Sequence, residues 1–321
     1  MHALLEKIWY QQHGISYLLW PFSGLYQVVQ SFIRCYKRFI IGVTQLPVPV
    51  VVVGNLTVGG TGKTPLVIAL VQACQAKGLR VGVISRGYKS QRGKTPYLIQ
   101  TTDTASMVGD EPLLISKKTG CSVAIAPNRV QAARLLLKQS PVDLIICDDG
   151  LQHETLGRAL EIAVIDGMRG LGNERCLPAG PLRESKKRLK TVDFVVVNEG
   201  VWPGAYPMTL QPQTIVHLQT KQTIPAHSLP KKLMALAAIG NPKRFFHTLK
   251  RLGIAHTPMA LPDHSRIEKH HVPEDMAVIM TEKDAIKYQK DMHPNWYMLT
   301  VEAVLKDDFW QAFWLTMNLK D

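Results

Sequence analysis

A run of β-branched residues, Val50-Val51-Val52-Val53, leads straight into Gly54-Asn55-Leu56-Thr57-Val58-Gly59-Gly60-Thr61-Gly62-Lys63-Thr64, and a helical pattern follows over Pro65 to Lys77. No other feature limits the fold so strongly. A continuous apolar run suits a strand buried on both faces, which places it in a parallel sheet with helices on each side. Gly59, Gly60 and Gly62 let the backbone turn sharply and aim its N–H groups inward, and the next helix adds its positive end. The pattern is that of a phosphate-binding loop, G-x-x-x-x-G-K-[ST], except that Thr57 stands at its first position. Thr57, Gly59, Gly60, Thr61 and Gly62 then form the cradle, Lys63 meets the β- and γ-phosphates of a nucleotide, and Thr64 offers its hydroxyl to Mg2+.

Further strand-like runs at Arg80–Ser85, Ser122–Ala126, Leu144–Cys147, Glu161–Ile165 and Asp193–Asn198 are separated by helix-like stretches such as Asn128–Gln139. The alternation predicts an α/β fold with a doubly wound parallel sheet. Ligands of such sheets bind beyond the carboxyl ends of the strands. Asp148 and Asp149 stand at such an end, where a carboxylate can hold Mg2+ directly or through its water shell. Asp110 and Glu111 open another apolar helix. They suit an N-terminal cap, and beside a nucleotide they equally suit a proton acceptor. Arg86 also follows a strand, so it can point into the cleft. Five basic residues crowd Arg183 to Lys190, either as a solvated face or as a seat for an anionic substrate or lipid headgroup.

The chain has 321 residues, enough for about two domains. Lys plus Arg number 38 and Asp plus Glu 25, giving a net charge of +13 and a preference for anionic partners. No zinc finger, helix-turn-helix or aromatic-interleaved basic motif accompanies that charge, so nucleic acid is not expected as a partner. The five cysteines are widely spaced without C-x-x-C, which suits reduced thiols rather than disulfides or a zinc site. His270-His271 lacks further ligand spacing, and no metal is assigned to it. Between Ile15 and Ile33 apolar residues recur at the spacing of one helix face, opposite Ser16, Ser23, Gln27, Gln30 and Arg34. Pro21, Gly24 and two glutamines interrupt the run too often for a membrane span. A helix lying in a membrane interface fits best, although packing on the protein's own core produces the same pattern. Gly200 to Pro230 lacks a sustained period and reads as a boundary or linker. Strand-like Lys232–Ile239, helix-like Pro242–Leu252 and strand-like Ala277–Thr281 form a smaller α/β unit, and a helix over Phe309–Asn318 closes the chain. The domains expected are an arm (1–45), a P-loop core (46–210), the smaller unit with linker strands (211–300) and a returning helix (301–321).

The ordered set VVVGNLTVGGTGKTP, VISRGY, GDEPLLI, DDGLQH, LPAGPLRE, IGNPKRFF, PDHS and MTEKDAIK closely resembles the tetraacyldisaccharide 4'-kinase family of lipid A biosynthesis. The resemblance spans nearly the whole chain. It implies transfer of phosphate from ATP to the 4'-hydroxyl of a tetraacyldisaccharide 1-phosphate, with Asp110 as general base and His264 supporting it. It further implies that Glu111, Asp148 and Asp149 join Thr64 in organising Mg2+, and that Arg86, Gln152, His153 and Arg183 face the substrate. It implies a two-stranded linker between the two units. It also implies work at the cytoplasmic face of the bacterial inner membrane, peripheral or monotopic, with a lipid substrate and no obligatory protein partner. A membrane-associated P-loop ATPase acting as a partner switch is the competing class. Val58 stands where such proteins often carry an extra lysine, which counts against it.

Overall fold

The computed structural model of the chain describes residues 2–11, 13–92, 95–267, 272–273, 275–288 and 293–318, with side chains from residue 5 onward. The pair His270-His271 lies outside them. The first half of the sheet is built from β1 (Val50–Gly54), β2 (Val81–Ser85), β3 (Tyr97–Leu98), β4 (Ser122–Ile125), β5 (Leu144–Asp148), β6 (Leu160–Asp166) and β7 (Phe194–Asn198). The second half comprises β8 (Tyr206–His217), β9 (Thr223–Ile224), β10 (Leu233–Ala237), β11 (Thr257–Ala260), β12 (Ala277–Thr281) and β13 (Trp296–Leu305). Among the described residues these strands join in one sheet, in the order β11-β10-β12-β13-β8-β7-β6-β1-β5-β2-β4-β3, with β9 on β8.

From β7 to β4 every neighbour is parallel, and β1 lies between β5 and β6. Alternate residues of β1 feed opposite cores, as the period of a strand requires. Val51 and Val53 pack with Leu66 and Leu70 of helix Lys63–Ala76 and with Leu113 of helix Asp110–Thr119, while Val50 and Val52 pack with Leu136 of helix Arg129–Gln139. Helices thus cover both faces, the doubly wound arrangement expected. Helix Asp307–Thr316 returns to the first core, where Phe309 and Phe313 are fully buried.

The stretch expected as a linker contains the twelve-residue β8, which pairs antiparallel with β13 and connects the parallel halves. The pattern of β8 is obscured because most of its positions are half-buried or exposed, so no apolar alternation marks it. Pro212 also lacks an amide hydrogen, and the register shifts opposite it between Leu299 and Val301. The boundaries expected at 210/211 and 300/301 fall inside these two strands. The smaller half has its own cores, one around Phe245 and Leu249, the other around Met280 and Tyr288.

The periodic run Ile15–Ile33 is divided into helices Ile15–Leu18 and Trp20–Tyr36. Pro21 has no N–H to bond the carbonyl of Tyr17, which explains a break rather than one continuous helix. The polar stripe faces the protein. Ser23 is buried and its hydroxyl donates to the Cys176 carbonyl at 2.8 Å, Tyr26 Oη donates to the Arg183 carbonyl at 3.1 Å, and Arg34 pairs with Glu184 at 3.0 Å. The apolar residues point outward: Leu25 is 63% exposed, Phe32 73% and Phe39 76%. Among the described residues no helix is long and apolar enough to cross a membrane.

Candidate active site

The glycine-rich loop links the carboxyl end of β1 to helix Lys63–Ala76, and its shape is held by its own Asn55, by the Asn198 side chain and by backbone bonds to the Pro181–Arg183 segment. Asn55 donates to the carbonyls of Thr57 at 2.9 Å and Gly59 at 3.3 Å. Asn198, at the end of β7, donates to the Thr61 carbonyl at 2.9 Å. The Val58 N–H donates to the Pro181 carbonyl, and the Arg183 N–H to that of Leu56. Gly62 caps the helix with φ +94°, in the left-handed region, and a Cβ there would overlap the Asn198 amide. Only glycine meets both demands. Thr57 forms a bridge to Leu182 and is buried, so the first loop position is a packing position in this chain.

Lys63 Nζ lies 3.0 Å from Asn55 Oδ1 and 3.2 Å from Asp149 Oδ1. Asp149 also accepts from Arg183 at 3.2 and 3.3 Å. Burial alone would raise its carboxyl, but Lys63 and Arg183 outweigh that and hold it below the usual carboxylate range. Its neighbour Asp148 is the opposite case. It is buried at the tip of β5, and burial, with Glu111 and Asp149 nearby, pushes its carboxyl up to about 7. One oxygen accepts from Ser85 Oγ at 3.1 Å, while Oδ1 is buried without a partner among the described residues.

That orphaned oxygen fits a cation. Thr64 lies in the first turn of the adjoining helix, and the buried Thr61 hydroxyl is also without a partner among the described residues. No group of three or more His, Cys, Asp or Glu among the described residues has the geometry to hold a metal ion. Mg2+ bound with nucleotide does not require one, because phosphates and waters supply most of its ligands. The residues present therefore fit Mg2+ with ATP.

The second half of the site comes from across the sheet. His264 Nδ1 lies 2.9 and 3.0 Å from the two oxygens of Asp110. Its backbone adopts φ +65° in the turn after Pro262, its N–H donates to Ala238, and Tyr88 packs edge-on against its ring. Asp110 is 6% exposed. Burial favours its neutral form, but the His264 hydrogen bond and the nearby Lys283 outweigh it and bring the carboxyl down to about 2. Asp110 is therefore ionised at neutral pH. Lys283 Nζ bonds Glu111 at 2.7 Å and lies 3.5 Å from Asp263. Burial would lower its ammonium pKa, but Glu111, Asp263 and Asp110 raise it further than burial lowers it. Lys287 pairs with Asp284 at 2.8 Å and approaches Asp110 at 3.9 Å.

Asp110 and Glu111 are adjacent, yet they face different cavities. One, of about 240 Å³, is lined by the loop from Gly60 to Thr64, Glu111, Lys283 and the ring of Phe245. The other, of about 290 Å³, is lined by Asp110, His264, Tyr88 and Lys287. Among the residues expected at the mouth, Gln152 donates to Glu184 at 2.7 Å and to the Asn55 carbonyl at 3.2 Å. Arg86 is exposed with no partner among the described residues. His153 Nε2 accepts the Arg129 N–H at 2.6 Å at the start of helix Arg129–Gln139. Burial, reinforced by Arg129, drops its pKa to about 4, so it is neutral. Asn55, Asn198, Lys283 and Lys287 were not among the expected residues. The GNLTVGG and MTEKDAIK stretches contain three of them, but only their placement beside the loop and Asp110 distinguishes them from ordinary polar residues.

Comparison with known proteins identifies the family. The family described as Tetraacyldisaccharide-1-P 4'-kinase matches residues 15–318. The tetraacyldisaccharide 4'-kinase of Legionella pneumophila (strain Lens) is 49% identical over 323 residues, covering 100% of this chain and 99% of that one. The tetraacyldisaccharide 4'-kinase of Azotobacter vinelandii (strain DJ) is 46% identical over 309 residues, covering 94% and 92%. The crystal structure of LpxK from Aquifex aeolicus in complex with ATP is 28% identical and superposes with a TM-score of 0.78 over 95% of this chain and 100% of that one. The P-loop, the doubly wound sheet and these relatives together show that the chain belongs to the tetraacyldisaccharide 4'-kinase family of enzymes.

Proposed function

We propose that this protein transfers the γ-phosphate of ATP to the 4'-hydroxyl of a tetraacyldisaccharide 1-phosphate, yielding the 1,4'-bisphosphate. The observation that carries the proposal is the Asp110–His264 pair, at 2.9–3.0 Å, set on the wall between the loop cavity and its neighbour. Triphosphate in the loop cavity and hydroxyl in the second would meet at the boundary formed by Asp110 and Glu111. Such transfer depends on positioning and charge stabilisation more than on covalent chemistry.

Asp110, ionised and held by His264, accepts the proton of the 4'-hydroxyl as its oxygen bonds the γ-phosphorus. The bond from that phosphorus to the β–γ bridging oxygen breaks, and ADP leaves. Lys63 meets the negative charge on the phosphate oxygens, and Arg183 holds Asp149 in place beside it. Mg2+, which Thr64 and Asp148 would hold, supplies charge neutralisation on the transferring group when bound. Because Asp110 comes from the core and His264 from the smaller half, the base is complete only when the halves are together, which limits transfer to water. In this reading Arg86, Gln152 and Arg183 face the acceptor, and His153 shapes the mouth through Arg129.

The outward apolar face of Trp20–Tyr36 supports binding to the cytoplasmic face of the inner membrane, where an acylated acceptor lies and ATP is available. A helix that turns its polar stripe to the protein leaves its apolar stripe without protein cover.

The testing experiment follows label from γ-labelled ATP into detergent-dispersed tetraacyldisaccharide 1-phosphate, comparing wild type with Lys63→Ala. Labelled lipid in the wild type and none in the variant is expected. ATP consumed without labelled lipid would transfer support to an ATPase switch.

A further inference from the structure

Between the arm and the core runs a groove of about 480 Å³, bordered by helix Trp20–Tyr36 and its continuation Lys37–Ile41 on one side and by the segment from Arg183 to Thr191 on the other. Among the described residues five cations line it, against Glu184 alone among acids. Three of the five are already committed. Arg34 pairs with Glu184 at 3.0 Å, Arg188 bonds Glu161 and lies 3.7 Å from Glu184, and Arg183 pairs with Asp149 at 3.2 Å. Arg38 and Lys187 remain. Both side chains are exposed, they lie on opposite walls of the groove, and neither has an acidic partner among the described residues.

The groove begins where the nucleotide site ends. Arg183 belongs to its lining, and Arg183 is the residue that grips Asp149, itself 3.2 Å from Lys63. The lining also holds Gln27, Gln30 and Ser31, neutral groups that suit sugar hydroxyls. At its outer lip stands Phe39, 76% exposed and continuous with the apolar face of the arm. A ligand that runs from the loop along this groove is therefore met in turn by hydrogen-bonding groups, by two free cations and by an apolar rim. That order matches a sugar, an anionic group and acyl chains.

We propose that Arg38 and Lys187 form the seat of the acceptor's 1-phosphate and so set preference for a phosphorylated acceptor. The inference rests on the acceptor reading given above. A phosphate monoester carries a charge of about −1.5 to −2 at neutral pH, which two cations balance. Arg38 supplies a planar fork and Lys187 a mobile point charge, so one orients the group and the other follows it. The phosphate of an anionic bilayer lipid shares this chemistry, and the experiment separates the two sources.

Steady-state transfer by the full chain is measured in neutral-detergent micelles with two acceptors, the tetraacyldisaccharide 1-phosphate and the same lipid lacking its 1-phosphate. The enzymes are wild type, the double variant Arg38→Glu/Lys187→Glu and the conservative variant Arg38→Lys, with ATP binding as the check on folding. Wild type is expected to show a KM at least tenfold lower for the phosphorylated acceptor. In the double variant that ratio falls towards one with kcat little altered, and Arg38→Lys retains most of it. Equal changes in KM for both acceptors would overturn the assignment, as would a ratio that stays at the wild-type value. A defect confined to vesicles containing anionic phospholipid would overturn it in favour of a bilayer headgroup. No transfer by wild type to either acceptor would remove the kinase reading itself and this seat with it.

Discussion

Replacing Asp110 with Asn tests the centre of the proposed mechanism, because the two side chains have nearly the same shape and differ in charge and basicity. A positioned general base contributes about 10²- to 10⁴-fold to such a step, which corresponds to roughly 3–5 kcal/mol of barrier. The same charge also contributes to the fold. The Asp110 carboxyl is brought from 3.8 to about 2, a difference of ~2 kcal/mol in folding free energy at neutral pH. Because the folded-state value lies below the unfolded one, this contribution is present above pH 3.8 and is lost as pH falls towards 2. Asp110→Asn should therefore lose label transfer by two to four orders of magnitude while melting only a few degrees lower at pH 7, where each kcal/mol is worth about 2–4 °C. ATP affinity, measured by calorimetry, should change little, since the loop is held by Asn55 and Asn198 rather than by Asp110. Turnover within threefold of wild type would refute the base assignment. A matched collapse of ATP binding would show that the residue shapes the nucleotide site instead.

Gly62→Ala places a Cβ against the Asn198 amide and strains a φ of +94°, so ATP affinity should fall at least tenfold in a filter or calorimetric titration. Asp148 has its folded-state pKa raised to about 7, so between pH 4 and 7 the folded form keeps a proton that the unfolded chain releases, and stability falls as pH rises. Asp148→Asn should consequently melt above wild type in nucleotide-free protein at pH 8, with the gap closing near pH 4, as calorimetric scans across that range would show. Phe309→Ala empties a fully buried position where helix Asp307–Thr316 meets the first core, and denaturant titration should register a loss of about 3–5 kcal/mol.

The parts of the site that were legible in the sequence are those whose chemistry is local. The loop, the strand before it and the helix after it are contiguous, so residue types and spacing suffice to identify a phosphate cradle. The end of β5 could be read as an acidic strand tip for the same reason. Asp110 shows where local reading stops. A helix N-terminal cap and a proton acceptor look alike in GDEPLL, and what local reading cannot supply is His264, 154 residues away in sequence and hydrogen-bonded to the carboxylate. The strand β8 was missed because its faces are mostly solvated, and solvated strands carry no apolar period.

The sequence by itself determined the glycine-rich loop and the parallel sheet around it, because both are set by short-range geometry. Tertiary structure decided what crosses the chain. It set the opposite titration of Asp148 and Asp149, adjacent residues with the same side chain, because one is buried beside other carboxylates and the other grips Lys63 and Arg183. It brought Lys283 to Glu111 and His264 to Asp110. It also decided which side of the arm meets the protein. Periodicity defines two faces, but only the buried partners of Ser23, Tyr26 and Arg34 show that the polar one is the docked one.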